Sequence, residues 1–137
     1  FVEQRELGKV HFAGLRIRIR PDKVREPDVI FLHKDNFHVR HNRVWDGADL
    51  VMEVVSDDPK DRERDYETKL ADYAEAGVRE YWIADPNERV VFVHRLHEGS
   101  YTLHGQFQSG ETATSSLLEE FSINVANLFA TMDDIPD

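Results

Sequence analysis

A chain of 137 residues with 40% hydrophobic content is long enough to bury one core. It contains no cysteine, which excludes disulfides and thiolate zinc sites and fits a reducing compartment. With no apolar run near the length of a membrane span and no charged-then-apolar leader, the expectation is a cytoplasmic protein without a membrane partner. Net charge is −10, which argues against a surface that broadly attracts nucleic acid. Residues 1–25 run the other way, with seven basic residues against three acids, enough for a local grip on phosphate.

Phe1 stands where an initiator Met would, so either a fragment of a longer protein or a processed chain is expected, with something preceding it. Gly8 predicts the stop of a helix over residues 1–8. Lys9 to Arg20 reads as one strand, with Leu15, Ile17 and Ile19 on one face and Arg16, Arg18 and Arg20 on the other. That arginine stripe is either the solvated face of an outer strand or a contact to phosphates. Pro21 to Arg25 reads as a charged turn, and Pro27 stands at the entrance of a strand through Leu32, where a missing N–H does least harm. Lys34 to Gly47 reads as a loop or short helix. His33, His38 and His41 match no standard metal-site spacing and are expected at the surface.

Asp49-Leu50-Val51-Met52-Glu53-Val54-Val55-Ser56 reads as a strand with one carboxylate inside an apolar run. The two-residue period puts Asp49, Val51 and Val55 on the Glu53 face, and Asp49 falls about 13 Å from Glu53, too far to share an ion. A charge among such neighbours must be paired, protonated or bound to a metal. Ser56-Asp57-Asp58-Pro59 signals a helix start, and the helix is expected to run to Ala76 with Gly77 as its stop. Tyr66, Lys69, Leu70, Tyr73 and Ala74 share one stripe. Lys69 on that stripe either turns into the core or forms an i,i+4 pair with Asp65, its head in water; spacing leaves both open.

Val78 to Ala84 reads as the next strand, closed by the turn Asp85-Pro86-Asn87, so strand, helix and strand make a βαβ unit. Tyr81 and Trp82 in mid-strand are expected in the core, not as a base-stacking platform. Val90–Leu96 and Tyr101–Gln106 alternate as a hairpin around residues 97–100. Glu111–Thr114 and Ile123–Thr131 suggest a short strand and a short amphipathic helix. Phosphate loops, nucleophile elbows and HExxH helices are absent.

Asp28, Glu53 and Lys69 are therefore the candidate constellation. Carboxylates on adjacent strands can hold Mg²⁺ or Mn²⁺, hard ions that prefer oxygen ligands, and a lysine from the flanking helix can orient water or offset charge growing on a phosphate.

These residues also carry a resemblance. Pro27-Asp28-Val29-Ile30-Phe31, the Asp49–Ser56 run, Asp65 with Lys69 and Tyr73, and Gly77-Val78-Arg79-Glu80-Tyr81-Trp82-Ile83-Ala84-Asp85-Pro86 together resemble the Uma family of putative restriction endonucleases, within the PD-(D/E)XK nuclease superfamily. The resemblance spans roughly residues 8–130. It implies an α/β, restriction-endonuclease-like fold, a mixed central β-sheet flanked by α-helices. It further implies a single such domain over residues 1–137, lacking an N-terminal segment. Family members carry a Tyr-Glu-Leu-Ile-type segment whose Glu joins the site, and no such motif precedes Lys9.

On this resemblance Asp28 and Glu53 are the metal ligands, with a backbone carbonyl of Val54 or Val55 facing the ion. Val55 stands where the usual lysine would, and Lys69 takes that role from the helix. The implied function is Mg²⁺- or Mn²⁺-dependent hydrolysis of DNA phosphodiesters, with DNA as partner, Arg16, Arg18 and Arg20 on its backbone, and a homodimer as in paired nucleases. The alternatives are a catalytically silent interaction or regulatory domain on a nuclease scaffold, which the charge of −10 favours, and a small-molecule hydrolase of the same metal type.

Overall fold

The alternating and apolar runs read above become strands, and one long amphipathic stretch becomes a helical rod laid over them. The computed structural model describes residues 8–12, 15–40, 44–56, 58–118 and 121–133, with only the backbone of 9–12 and 131–133. In chain order these give β1 (Gly8–Phe12), β2 (Arg16–Arg20), β3 (Lys23–Arg25), β4 (Val29–His33), a 3₁₀ segment (Lys34–Val39), β5 (Val44–Trp45) and β6 (Leu50–Val54). The rod follows as α1 (Pro59–Glu63), a π-helical turn (Arg64–Thr68) and α2 (Lys69–Glu75). Then come β7 (Glu80–Asp85), β8 (Val90–His97), β9 (Ser100–Gln108), β10 (Thr112–Thr114), β11 (Ser122–Asn124) and α3 (Val125–Asp133).

Six strands form the central sheet in the order β1-β4-β6-β7-β8-β9. It is mixed, because β6 and β7 run parallel across the helical crossover while the other neighbours are antiparallel. The expected βαβ unit is thus present, and so is the mixed sheet flanked by helices. One face packs Val51, Val55, Tyr81 and Ile83 against Tyr73 of α2 and Ile17 and Ile19 of β2. The other packs Leu50, Trp82, Ala84 and Val91 against Val125 and Phe129 at α3. Tyr81 and Trp82 are core residues of opposite faces, 0% and 1% exposed.

The rod starts and stops where the sequence says. Asp58 accepts the N–H of Lys60 at 2.8 Å with Pro59 at the first helical position. Gly77, at φ +78°, ends it: its N–H reaches Ala74 O and that of Val78 reaches Tyr73 O, the paired bonds of a Schellman stop.

Four expectations change. Lys9–Arg20 is not one strand: β1 joins β4 in the central sheet, whereas β2 belongs to a separate sheet ordered β3-β2-β5. The apolar alternation changes phase between the two, from Val10 and Phe12 to Leu15, Ile17 and Ile19, and that shift is the local sign of the change of partner. Pro21–Arg25 is a turn only at its start, since Lys23–Arg25 pairs back on β2, where Lys23 and Arg25 reach Asp72 on α2 at 3.0 and 2.7 Å. Gly8 opens β1 because a Cβ there would fall 2.0 Å from the Leu32 carbonyl oxygen. The helix expected over 1–8 otherwise lies outside the described residues. The tail gives β10, β11 and α3, with the start of the expected helix taken by β11. Among the described residues no helix is long and apolar enough to cross a membrane.

Candidate active site

Asp28 immediately precedes β4 and faces the end of β6. Its N–H donates to Glu53 Oε1 at 3.0 Å, and its Oδ2 accepts the N–H of Val54 at 2.7 Å. These two backbone-to-side-chain bonds lie just past the last β4–β6 pair, Val29 with Met52, and hold both carboxylates at the sheet end. Glu53 is 1% exposed, on the face that α2 covers. Lys69, at the start of α2, donates from Nζ to Glu53 Oε2 and lies 2.7 Å from Asp65 Oδ1. The structure therefore brings Asp28, Glu53 and Lys69 together, and both sequence readings of Lys69 describe part of its environment. It pairs with Asp65 as the i,i+4 reading has it, but its head is held inside and not in water.

Burial pushes the Glu53 carboxyl above its ordinary range, against the lowering pull of the Lys69 ammonium. Burial also opposes the charge on Lys69, yet its hydrogen bonds to Asp65 and Glu53 outweigh this and its pKa is raised. The two shifts compete for one proton. We place it on Lys69, which has two carboxylate acceptors, while Glu53 Oε1 also takes a backbone N–H that favours its ionised form.

These groups border an open cleft of about 180 Å³, lined by Asp28, Asp61 and Asp65, by Arg64 and Lys69, and by Val54 and Ser56. With Glu53 behind them, four carboxylates face two cations, so two negative charges stay uncompensated. An all-oxygen donor set with that surplus suits a hard divalent ion. Asp28 and Glu53 would be its ligands, Asp28 being exposed at the mouth. Val54 lines the cleft with its N–H committed to Asp28. Among the described residues no three His, Cys, Asp or Glu side chains are grouped to hold a metal, so the fit rests on these two carboxylates.

The arginine stripe lies elsewhere. Arg16, Arg18 and Arg20 are exposed on β2, and none of them lines the cleft. Arg18 is 3.3 Å from Asp46, and Arg20 is 2.8 Å from Glu75 on α2. Asp49 is a structural acid, accepting the His33 N–H at 2.6 Å and the Asn36 amide at 2.9 Å. His33 accepts the N–H of Asp35 at the start of the 3₁₀ segment, and His41 lies outside the described residues.

Sequence reasoning missed Arg64, Asp61 and Ser56 as neighbours of the site and read Asp65 only as a surface partner of Lys69. The acid four residues before Lys69 was the one available signal. Arg64 had none, because the π-helical turn shifts the helical phase. Tyr73, one turn beyond Lys69, ends in a buried hydroxyl without a hydrogen-bond partner among the described residues.

A model of the Uma2 family, described as "Putative restriction endonuclease", matches residues 1–126. Among solved structures, a putative nuclease of DUF820 from Anabaena variabilis superposes with a TM-score of 0.74 at 18% identity, covering 94% of this chain and 72% of that one. At that identity the likeness is one of fold. No curated protein matches the chain.

Proposed function

Because the chain belongs to the Uma2 family of putative restriction endonucleases, we propose that it is a divalent-metal-dependent endonuclease that hydrolyses DNA phosphodiester bonds at the Asp28–Glu53–Lys69 cleft. One observation carries the reading: a buried carboxylate and a lysine from the covering helix meet at the sheet end, beside a second carboxylate that lines an open cleft. Such a costly arrangement is maintained where charge must be handled.

Asp28 and Glu53 would hold Mg²⁺ or Mn²⁺. Bound there, the ion would supply Lewis-acid charge and lower the pKa of water at the site. Lys69 keeps Glu53 ionised, and its ammonium stands at the cleft where a water or a phosphate oxygen can take one of its three hydrogens. Asp65 holds Lys69 from the other side, so the ammonium does not swing out when Glu53 turns to another ligand.

A second reading, a catalytically silent scaffold, is favoured by the lack of a three-ligand cluster among the described residues. One experiment separates the two. Mg²⁺ or Mn²⁺ should raise the melting temperature and support cleavage of plasmid DNA, with Glu53→Gln removing both effects and Lys69→Ala removing cleavage. No metal shift and no cleavage in the unaltered chain would establish the silent scaffold.

A further inference from the structure

We propose that Arg64 is the phosphate-binding side chain of the cleft, gripping the phosphodiester backbone beside the scissile bond; this rests on the nuclease reading above. Arg64 is the one guanidinium that lines the cleft among the described residues, together with Asp28 and Lys69. Its presence there is a consequence of backbone geometry. Along an α-helix five residues advance by about 500°, which would set Arg64 and Lys69 about 140° apart around the axis. The Lys69 N–H instead donates to the Arg64 carbonyl, an i→i+5 bond that closes a π turn, and the wider turn moves Arg64 toward the Lys69 side of the helix. One wide turn thus aims both cations into a single cleft.

Neighbouring arginines do other work. Arg62 is committed to Asp85 by two hydrogen bonds of 3.1 and 2.7 Å, and Arg20 and Arg18 lie on a different sheet. Arg64 has a partner that can be exchanged. It is held on Asp61, and both side chains are more than 40% exposed, so the pair is weak. Ser56 Oγ donates to Asp61 Oδ2 at 2.9 Å, which gives Asp61 a second hold when the guanidinium leaves. A phosphodiester offers two oxygens that the planar fork can meet together, which the compact ammonium of Lys69 cannot do. Arg64 would therefore bind and orient the backbone, leaving Lys69 to the reacting water.

The test is steady-state cleavage of a fluorophore-labelled DNA duplex by the full chain with Mg²⁺ or Mn²⁺. Arg64→Gln, which keeps most of the stem, should raise KM at least about tenfold with an unchanged melting temperature. Arg64→Lys should recover part of that loss, and Asp61→Asn, by freeing the guanidinium, should lower KM. Wild-type KM and kcat in Arg64→Gln, with Lys69→Ala inactive, would overturn the role of Arg64 and leave the nuclease reading intact. Absence of cleavage by the unaltered chain would remove both.

Discussion

Two buried acids stand on the helix-facing side of neighbouring strands, Glu53 on β6 and Asp85 on β7, and the same helical rod answers both. Asp85, 0% exposed, takes Arg62 on both oxygens, the Tyr66 hydroxyl at 2.6 Å and the N–H groups of Asn87 and Glu88 at 3.1 and 3.2 Å. That saturates the lone pairs of a carboxylate. Glu53 is equally buried but takes only Lys69 and the Asp28 N–H among the described residues, and these two partners, not Glu53 itself, line the cleft. Burial and charge are alike in the two; spare coordination is what differs. A saturated acid anchors helix to sheet, whereas an acid with free lone pairs beside an open cleft can accept a ligand.

The largest expected effect tests whether the Glu53 pair is truly interior. Lys69→Ala leaves Glu53 without its cation and should cost about 3–5 kcal/mol in urea unfolding. Adding Glu53→Gln should restore only part of it, because buried Asp65 loses the same partner. A loss below about 1 kcal/mol would mean the pair behaves as a surface bridge.

Next is an exchange of roles. Asp85→Asn should destabilise by about 2–3 kcal/mol yet leave cleavage per folded molecule unchanged. Glu53→Gln should abolish cleavage while unfolding stays within about 1 kcal/mol, since Lys69 retains Asp65. Activity lost in the first, or kept in the second, would break the comparison.

The acids should also titrate with opposite signs. Burial works against ionisation of Asp85 and Asp72, but hydrogen bonds from Arg62 and Tyr66 to the first, and from Arg25 and Lys23 to the second, hold both pKa values below the ordinary range. Their stabilisation is present above the unfolded value of about 4 and is lost as pH falls through the lower folded values. Glu53, being raised, contributes stability below its ordinary value that is lost as pH rises through the folded one. The melting temperature should therefore drop below about pH 4. Asp85→Asn should flatten that drop, as seen by calorimetry from about pH 5 to about pH 3, whereas Glu53→Gln should leave it unchanged and instead remove the loss of stability that sets in as pH rises above about 4. The smallest effect is Tyr66→Phe, which removes one donor from Asp85 and should cost about 1 kcal/mol with no change in cleavage.

Much of this was legible in the residues because it is local. The Asp58–Pro59 start, the Gly77 stop and the apolar stripe around Tyr73 are set within a few positions of one another. The isolated Glu53 was conspicuous for the same reason, and a lysine on the buried stripe was its natural partner. The saturation of Asp85 was not legible, since its donors sit 19 to 23 residues earlier on the rod as well as in its own turn. Glu80 likewise finds Ser115 and Ser116, 35 and 36 residues away. Lys23 and Arg25 read as a turn because Asp72, the acid that draws them into β3's position, lies far along the chain.

The amino-acid order alone determined the alternation of strands and rod, the family motifs and the identity of the groups able to do chemistry, because periodicity and capping act over one or two turns. Tertiary structure decided which buried acid is closed and which is open, and through the π turn which cations enter the cleft. Those outcomes depend on counting donors that arrive from distant segments and on a single residue's shift in helical phase, and neither quantity is written in local spacing.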